Sequence, residues 1–320
     1  MALLQFLGRR ALRGLLTFWF AVTVTFFVLR LLPGDPTMAV ADPGMTEAVR
    51  QSLLEHYGLD RPLWVQYELY LLQLAHGDLG LSFRQHVPVT SVLAARLPWT
   101  LLLTGSALVV TVLLGIPLGV LAATHRRGWI DRAIQIFAVT GQSLFVPSVG
   151  ILLLYSAGLM LKLFPIGGAI DADLTGVAAL RSIVMHLVLP CLSLVLVQLG
   201  PYVLTLRATL SHALAQDYCD LARAKGAGPM RIVWRHALRN ALLPTTTLLG
   251  LQIGFLVGGA VLTETVFAYP GLGRAMFEAV GQLDFPVLQG AFVMLAATVV
   301  LANLLTDLAC GLIDPRVRLA

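Results

Sequence analysis

Residues 217–244 read DYCDLARAKGAGPMRIVWRHALRNALLP, and this stretch decides how the chain is organised. It is basic and rich in alanine, has a Gly-Ala-Gly-Pro break in its middle, and separates two long apolar runs. Lys and Arg side chains are costly inside a bilayer, so the stretch is not a membrane span. Its composition is typical of a helical elbow on the cytosolic face of a membrane protein, where it docks on a partner.

The composition of the whole chain indicates a membrane protein. Of its 320 residues, 58% are hydrophobic and only 12% are charged, whereas soluble chains are about 25% charged. The net charge of +5 is small, and we expect no nucleic-acid partner. Cys191, Cys219 and Cys310 lie far apart in the sequence, which predicts small apolar core residues rather than a disulfide framework or a metal site.

Six apolar runs are long enough to cross roughly 30 Å of hydrocarbon. They lie near residues 11–32, 98–123, 133–161, 183–206, 241–262 and 286–309. The first run follows three arginines, as a signal peptide would, but it is long and lacks a small-x-small cleavage site, so we expect an uncleaved helix. The sequence therefore predicts an all-α membrane protein with six transmembrane helices.

The distribution of Lys and Arg predicts the orientation. With the N-terminus inside, the inner segments hold fourteen of these residues and the short outer loops hold three, which places both termini in the cytoplasm. The predicted division has four parts: a cytoplasmic N-terminus with the first transmembrane helix (1–32), an extracytoplasmic helical segment (33–97), a five-helix core (98–309) that contains the elbow 207–240, and a cytoplasmic tail (310–320).

The outer segment 33–97 has the pattern of three helices. We predict one over 46–57, a second over 61–76 that ends at Gly77, and a short third that Pro88 opens before the second span. Apolar residues recur at helical spacing in the second. That face either packs on the end of the bundle or forms an outer rim that meets a soluble partner, and the two roles are compatible.

The apolar runs lack groups that chemistry or ion coupling would need. The runs 98–123, 133–161 and 241–262 contain no Asp, Glu, Lys or Arg, which argues against an ion-coupled carrier. No catalytic set of Ser, His and Asp or paired carboxylates lies at membrane depth, so a membrane-embedded enzyme is disfavoured. The chain has no P-loop motif and therefore no such site for ATP. Prolines and glycines within the runs, such as Pro147 and Gly115, predict kinks and close helix contacts.

The first half of the elbow has the marks of a short helix. Asp217 and Asp220 suit its first turn, where negative charge is favourable, and Gly226 is typical of the residue that ends a helix. Between them we expect a low surface with two cations: Ala222, Arg223, Ala224 and Lys225. From composition alone, a solvated basic loop that obeys the positive-inside rule remains an alternative.

The second half predicts an amphipathic helix after Gly228 and Pro229. Three apolar side chains are expected to rest on the bundle, namely Ile232, Val233 and Leu238. Three cations are expected to face water or phospholipid, namely Arg231, Arg235 and Arg239.

The elbow resembles the EAAxxxG motif of binding-protein-dependent ABC importer permeases. Asp220 stands where that motif has Glu, Leu221 where it has its first Ala, and Ala222 and Gly226 match. Further motifs of the dipeptide/oligopeptide/nickel branch occur in order along the chain. They are LPGDP at 32–36, YGLDRP at 57–62, GDLG at 77–80, HALRNALLP at 236–244, ETVFAYPGLGR at 264–274, DFPV at 284–287 and DPRVR at 314–318. The chain resembles the first of the two homologous permease subunits of that family.

The resemblance implies a type I ABC importer in the bacterial inner membrane. This chain would pair with a homologous, distinct permease, two ABC ATPases that bind ATP and Mg, and an extracytoplasmic substrate-binding protein; it would itself hold no cofactor and no metal. Residues 217, 220 and 222–226 would couple to the ATPases. The outer motif would supply a gate or receptor contact, or in the case of Glu264 the cap of a turn: Glu264, Phe267, Pro270, Gly271, Gly273 and Arg274.

The motifs leave the cargo open. Peptides are the first interpretation, and nickel, a metal chelate or glutathione are alternatives carried by the same machinery. His56, His76 and His86 lie in different outer elements, so we do not expect them to bind a metal together. An ion-coupled secondary carrier is the alternative from a different class.

Overall fold

The computed structural model describes residues 2–31, 61–171 and 174–313, and these are largely helical. In chain order the helices are α1 (Ala2–Leu31), α2 (Leu63–Ala75), α3 (Val89–Thr124), α4 (Trp129–Gln142), α5 (Val146–Leu153), α6 (Gly176–Leu214), α7 (Asp217–Ala224), α8 (Pro229–Arg231), α9 (Leu238–Val266), α10 (Leu272–Gln282) and α11 (Phe285–Ile313). The π-helix Leu154–Met160 continues α5, and a second π-helix, Ile232–Ala237, joins α8 to α9. The all-α prediction is confirmed.

Several helices are suited to cross a membrane. Among the described residues, α1, α3, α6 and α11 are long and apolar enough, and α4 with α5 and its π-helical continuation makes a fifth span if that bent pair crosses as one. The α9 helix has 29 residues, or about 43 Å at 1.5 Å per residue, but most of its side chains between 243 and 259 lie outside the described set. The count of six spans stays a prediction.

The predicted span 133–161 is not one straight helix. It bends by 102° between α4 and α5, where Phe145 is extended and Pro147 occupies the first turn of α5. Proline is tolerated in a first turn because the N–H that it lacks has no partner there. The helix therefore breaks at the extended Phe145 and restarts in a new direction with Pro147 in its first turn.

The short helix predicted after Pro88 is not a separate element in the structure. Pro88 opens α3, which continues without a break to Thr124 and passes through Pro98. Leu93 and Thr100 are both buried on either side of Pro98, and their packing outweighs the cost of an interior proline. The predicted boundary at residue 97 therefore falls inside a helix.

The outer segment packs on the bundle where it is described. The second predicted helix is α2, and Gly77 follows its end with φ +75°. The rings of Tyr67 and Tyr70 lie 5.3 Å from the ring of Phe26 on α1, and the Tyr67 and Thr23 hydroxyls are hydrogen-bonded at 2.7 Å. The apolar face of α2 thus packs on α1. The predicted helix 46–57 lies outside the described residues.

The α6 helix is the centre of the bundle, packing against α3, α4 and α9. Small residues allow its closest contacts. A Cβ atom at Gly115 of α3 would lie 2.3 Å from the Tyr202 ring, and one at Gly200 would lie 2.3 Å from the Ala138 carbonyl oxygen on α4. Backbones of apolar helices approach this closely only where side chains are absent. The predicted close contacts are therefore confirmed at these crossings.

Replacing Gly200 by Ala tests the contact between α6 and α4. The new methyl meets a backbone oxygen that cannot rotate away, so we expect a loss of about 1–3 kcal/mol in the free energy of unfolding. Gly105→Ala is the control, because a Cβ there meets nothing within 4 Å; it should be neutral or stabilising by up to about 1 kcal/mol. Thermal unfolding in detergent compares the two, and equal midpoints would refute the tight crossing.

Candidate functional site

The helix α7 presents one face to its own bundle and the other outward. Cys219 and Ala222 are buried in an apolar cluster with Leu210 of α6 and Val233 of the second π-helix. Burial raises the pKa of the Cys219 thiol, which keeps it protonated and inert. The outward residues include both predicted acids, and the exposed set is Asp217, Tyr218, Asp220, Leu221, Arg223, Ala224 and Lys225.

The end of α7 is built on Gly226. Its N–H donates to the Arg223 carbonyl at 2.9 Å, and the Ala227 N–H donates to the Ala222 carbonyl at 3.0 Å, which is the Schellman pattern. The pattern requires a left-handed residue, and Gly226 has φ +82° with open space around it. Backbone conformation rather than crowding therefore calls for glycine here, as the sequence predicts.

Two details of the predicted coupling surface are different in the structure. Ala222 lies against the bundle, so Ala224 alone of the two alanines keeps the outer surface low. Arg223 is already paired inside the chain: its guanidinium bonds to the Asp220 carboxylate and to the Leu214 carbonyl oxygen at 3.3 Å. Arg223 thus braces α7 against the end of α6, and Lys225 is the exposed cation left without such a contact in the described structure.

The segment after α7 rests on the bundle as predicted. Ile232, Val233 and Leu238 are buried, while the three predicted cations are exposed: Arg231, Arg235 and Arg239. The side chains of Leu221, Lys225 and Arg235 line an open groove between α7 and this segment. The outward surface of the elbow is therefore a short helix beside a basic groove, with both attached to α3 and α6 through one apolar cluster.

A buried ion pair near the elbow is not among the predicted features. Asp131 at the start of α4 is 1% exposed, and its carboxylate accepts hydrogen bonds from Arg207 of α6 (2.5 and 2.7 Å), from the Arg127 N–H (3.0 Å) and from Gln135 (2.9 Å). The pair fastens α4 to α6 seven residues before α6 ends. A signal was present, because Asp131 is the only acidic residue between Asp78 and Asp171.

Removing Arg207 tests this ion pair. Arg207→Gln leaves the Asp131 carboxylate buried without a counter-charge, and we expect a loss of about 3 kcal/mol in the free energy of unfolding. Arg132→Gln is the control, since Arg132 is exposed one position away from Asp131. Chemical unfolding in detergent measures both; equal stability of the two variants would contradict a supporting role for the pair.

At the opposite end of the bundle, Glu264 is a buried cap. It is fully buried, and its carboxylate accepts hydrogen bonds from the Thr100 hydroxyl (2.6 Å), the Gly273 N–H (2.7 Å) and the Arg274 N–H (3.1 Å). The last two belong to the first turn of α10, where a carboxylate satisfies free N–H groups and the helix dipole. The structure thus supports the turn-cap alternative.

Gly271 makes room for this carboxylate, and Gly273 makes room for the backbone of α9. A Cβ at Gly271 would lie 2.2 Å from the Glu264 carboxyl carbon, and one at Gly273 would lie 2.3 Å from the Val261 Cα. Phe267 is also buried, packed in the cluster that contains Leu103. The outer-motif residues therefore organise the join between α9 and α10, and their predicted role as a gate or receptor contact stays a prediction.

Of the six residues predicted for the outer gate or receptor contact, Pro270 and Arg274 are partly exposed. The Arg274 guanidinium bonds to the Ala268 carbonyl and to the Glu278 carboxylate at 2.7 Å. The first contact holds α10 to the turn before it, and the second lies within α10.

Truncating Glu264 tests the cap. Glu264→Ala leaves the Thr100 hydroxyl and two N–H groups without an acceptor, so we expect a loss of roughly 2–3 kcal/mol in the free energy of unfolding. Glu278→Ala removes a partly exposed carboxylate from α10, the helix that Glu264 caps, and should cost at most about 1 kcal/mol. Thermal unfolding of both variants would decide, and an unaffected Glu264→Ala would rule out the cap.

Asp284 forms a second carboxylate junction at this end. It is 2% exposed and accepts hydrogen bonds from the Ser82 hydroxyl and the Phe83 N–H (3.2 Å), as well as from the Val287 N–H (3.4 Å) at the start of α11. It therefore joins the loop after GDLG to the DFPV motif, which are more than 200 positions apart in the sequence.

The described residues contain no group of three or more His, Cys, Asp and Glu side chains that would hold a metal ion. His76 and His86 are exposed in different local elements, and His56 lies outside the described residues.

Comparison with protein families gives two matches that span most of the chain. The model of the binding-protein-dependent transport system inner membrane component matches residues 115–319, and that of the N-terminal region of such membrane components matches residues 3–104.

Individual relatives match over nearly the full length. The chain is 37% identical to the dipeptide transport system permease protein DppB of Escherichia coli K12, with 99% of each chain covered. It is 39% identical to the probable D,D-dipeptide transport system permease protein DdpB of the same strain, with 92% of each covered. Among solved structures, a chain of the inward-facing MetNI methionine ABC transporter matches with a TM-score of 0.55 and 19% identity over 70% of this chain and 96% of that one.

Proposed function

Because the chain belongs to the family of binding-protein-dependent transport system inner membrane components and has the fold of a type I ABC importer transmembrane domain, we propose that it carries dipeptides or oligopeptides across the bacterial inner membrane. It is a transport subunit and not an enzyme. The observation that carries the peptide proposal is the near full-length similarity to permeases named for dipeptides. The same similarity leads us to set the ion-coupled carrier aside.

The proposed complex has four further components. A homologous, distinct permease completes the translocation path, two ATPases bind ATP and Mg, and an extracytoplasmic binding protein delivers the peptide. We propose that the elbow and both termini face the cytoplasm, in keeping with the excess of Lys and Arg on that side.

The proposed coupling runs through α7. Its outward face supplies the docking surface, and its inner face is attached through Cys219 and Ala222 to the cluster that includes Leu210 of α6. A force on α7 is therefore transmitted to α6, which packs along α3, α4 and α9. In the cycle that we propose, ATP binding closes the ATPase pair, moves the elbows together and opens the permeases outward; hydrolysis resets them. Such rigid-body coupling needs no chemistry in this chain.

Replacing Gly226 by Ala tests the coupling helix. A side chain in the left-handed conformation costs about 1–2 kcal/mol, which disturbs the end of α7 on its outward face. We expect ATP-dependent dipeptide uptake to fall by roughly tenfold or more, with the complex still assembled in the membrane. Gly228→Ala is the matched control, because Gly228 has φ −64° and open space.

Uptake and ATP hydrolysis are measured together in proteoliposomes that contain the whole complex. Normal uptake by Gly226→Ala would contradict the coupling role of α7. Competition separates the cargo alternatives in the same vesicles: unlabelled dipeptides should compete with the labelled one, whereas nickel ions, metal chelates and glutathione should not. If nickel ions, a metal chelate or glutathione inhibited uptake and dipeptides did not, that compound would be the cargo in place of a peptide.

A further inference from the structure

An open groove of about 480 Å³ lies between α1 and α11. Its walls are apolar, formed by Leu15 and Phe18 of α1 and by Leu301 and Leu304 of α11. Gly14 lies at the contact between the two helices, where a Cβ would be 3.0 Å from the Val300 side chain. Leu15 and Leu301 are 66% and 58% exposed, so the groove opens on the outer surface of this chain.

One end of the groove is cationic. Arg10 and Arg13 belong to its lining, and Asn303 of α11 adds an exposed amide. The Thr17 hydroxyl also lies in the lining. It donates a hydrogen bond to the Arg13 carbonyl at 2.9 Å and therefore needs no acceptor on a ligand. A site with apolar walls and a cationic end is complementary to a molecule with a long apolar body and an anionic head.

The depth of the groove in the membrane follows from helix length. The end of α1 at Leu31 lies eighteen residues after Arg13. This is a rise of about 27 Å at 1.5 Å per residue, which is close to the roughly 30 Å thickness of a hydrocarbon core. If Leu31 lies at one interface, Arg13 lies at the other, at the level of lipid phosphates. The groove residues that follow, from Gly14 to Phe18, then lie in the leaflet nearest the N-terminus.

We propose that this groove binds an anionic phospholipid of the cytoplasmic leaflet. One acyl chain lies along Leu15, Phe18 and Leu301, and the phosphate is held by Arg10 and Arg13. Guanidinium groups suit this role because they bind phosphate oxygens through two parallel hydrogen bonds. Basic pockets between transmembrane helices on the cytoplasmic side bind lipid head groups by this chemistry.

Native mass spectrometry of the whole complex tests the proposal. The purified complex is exposed to phosphatidylglycerol or to phosphatidylcholine with the same acyl chains. We expect phosphatidylglycerol to be retained preferentially, and the double variant Arg10→Gln/Arg13→Gln to lower its retention about tenfold. The control double variant Arg126→Gln/Arg132→Gln makes the same change in charge at exposed positions outside the groove and should keep the preference.

A second variant separates a built site from diffuse charge attraction. Ala297→Phe fills the groove without changing a charge, and it should also lower phosphatidylglycerol retention. If it retains lipid as the wild type does, or if both double variants lose lipid equally, the site is refuted. A photoreactive residue in place of Leu15 gives an independent readout: cross-links to lipid are expected, and cross-links to the partner permease would show that a protein helix occupies the groove.

Discussion

The close approach of α6 to α3 and α4 is the contact on which the rest of the structure depends. It requires Gly115 and Gly200 to carry no side chain, because a Cβ at either position would overlap the facing helix. The Asp131–Arg207 ion pair fastens the same helices at the elbow end. Since α7 begins three residues after α6 ends, the position of the elbow is set by how α6 is held. A bundle fixed in this way moves as a body when its elbow is displaced.

The two ends of the bundle use different devices. At the elbow, α7 is held by apolar burial and by a glycine-dependent helix end, which leave an outward face free to dock. At the other end, the Glu264 and Asp284 carboxylates join segments that are distant in sequence by accepting several hydrogen bonds each. Buried carboxylates of this kind are stable only where every oxygen is satisfied, so they set the geometry of the outer loops strictly.

Much of this architecture was predictable from local patterns. Apolar runs predict the helices, and a cation followed by Gly226 predicts the end of α7, because both features depend on residues that are neighbours in the sequence. The bend at Pro147 was visible as a proline, but its 102° angle was not. The sequence alone does not decide between a gate and a cap for Glu264 and does not single out Asp131, because their partners Thr100 and Arg207 lie 164 and 76 positions away. Contacts across such distances depend on how helices cross, which periodicity does not encode.

The central claim is that this chain moves cargo only when partner ATPases act on its elbow. The most direct measurement is accumulation of a labelled dipeptide in proteoliposomes with binding protein outside and ATP inside, prepared with both permeases and either with or without the ATPase subunits. The account predicts accumulation above the external concentration only when the ATPases and ATP are present. Accumulation against a gradient by the permeases alone would contradict it.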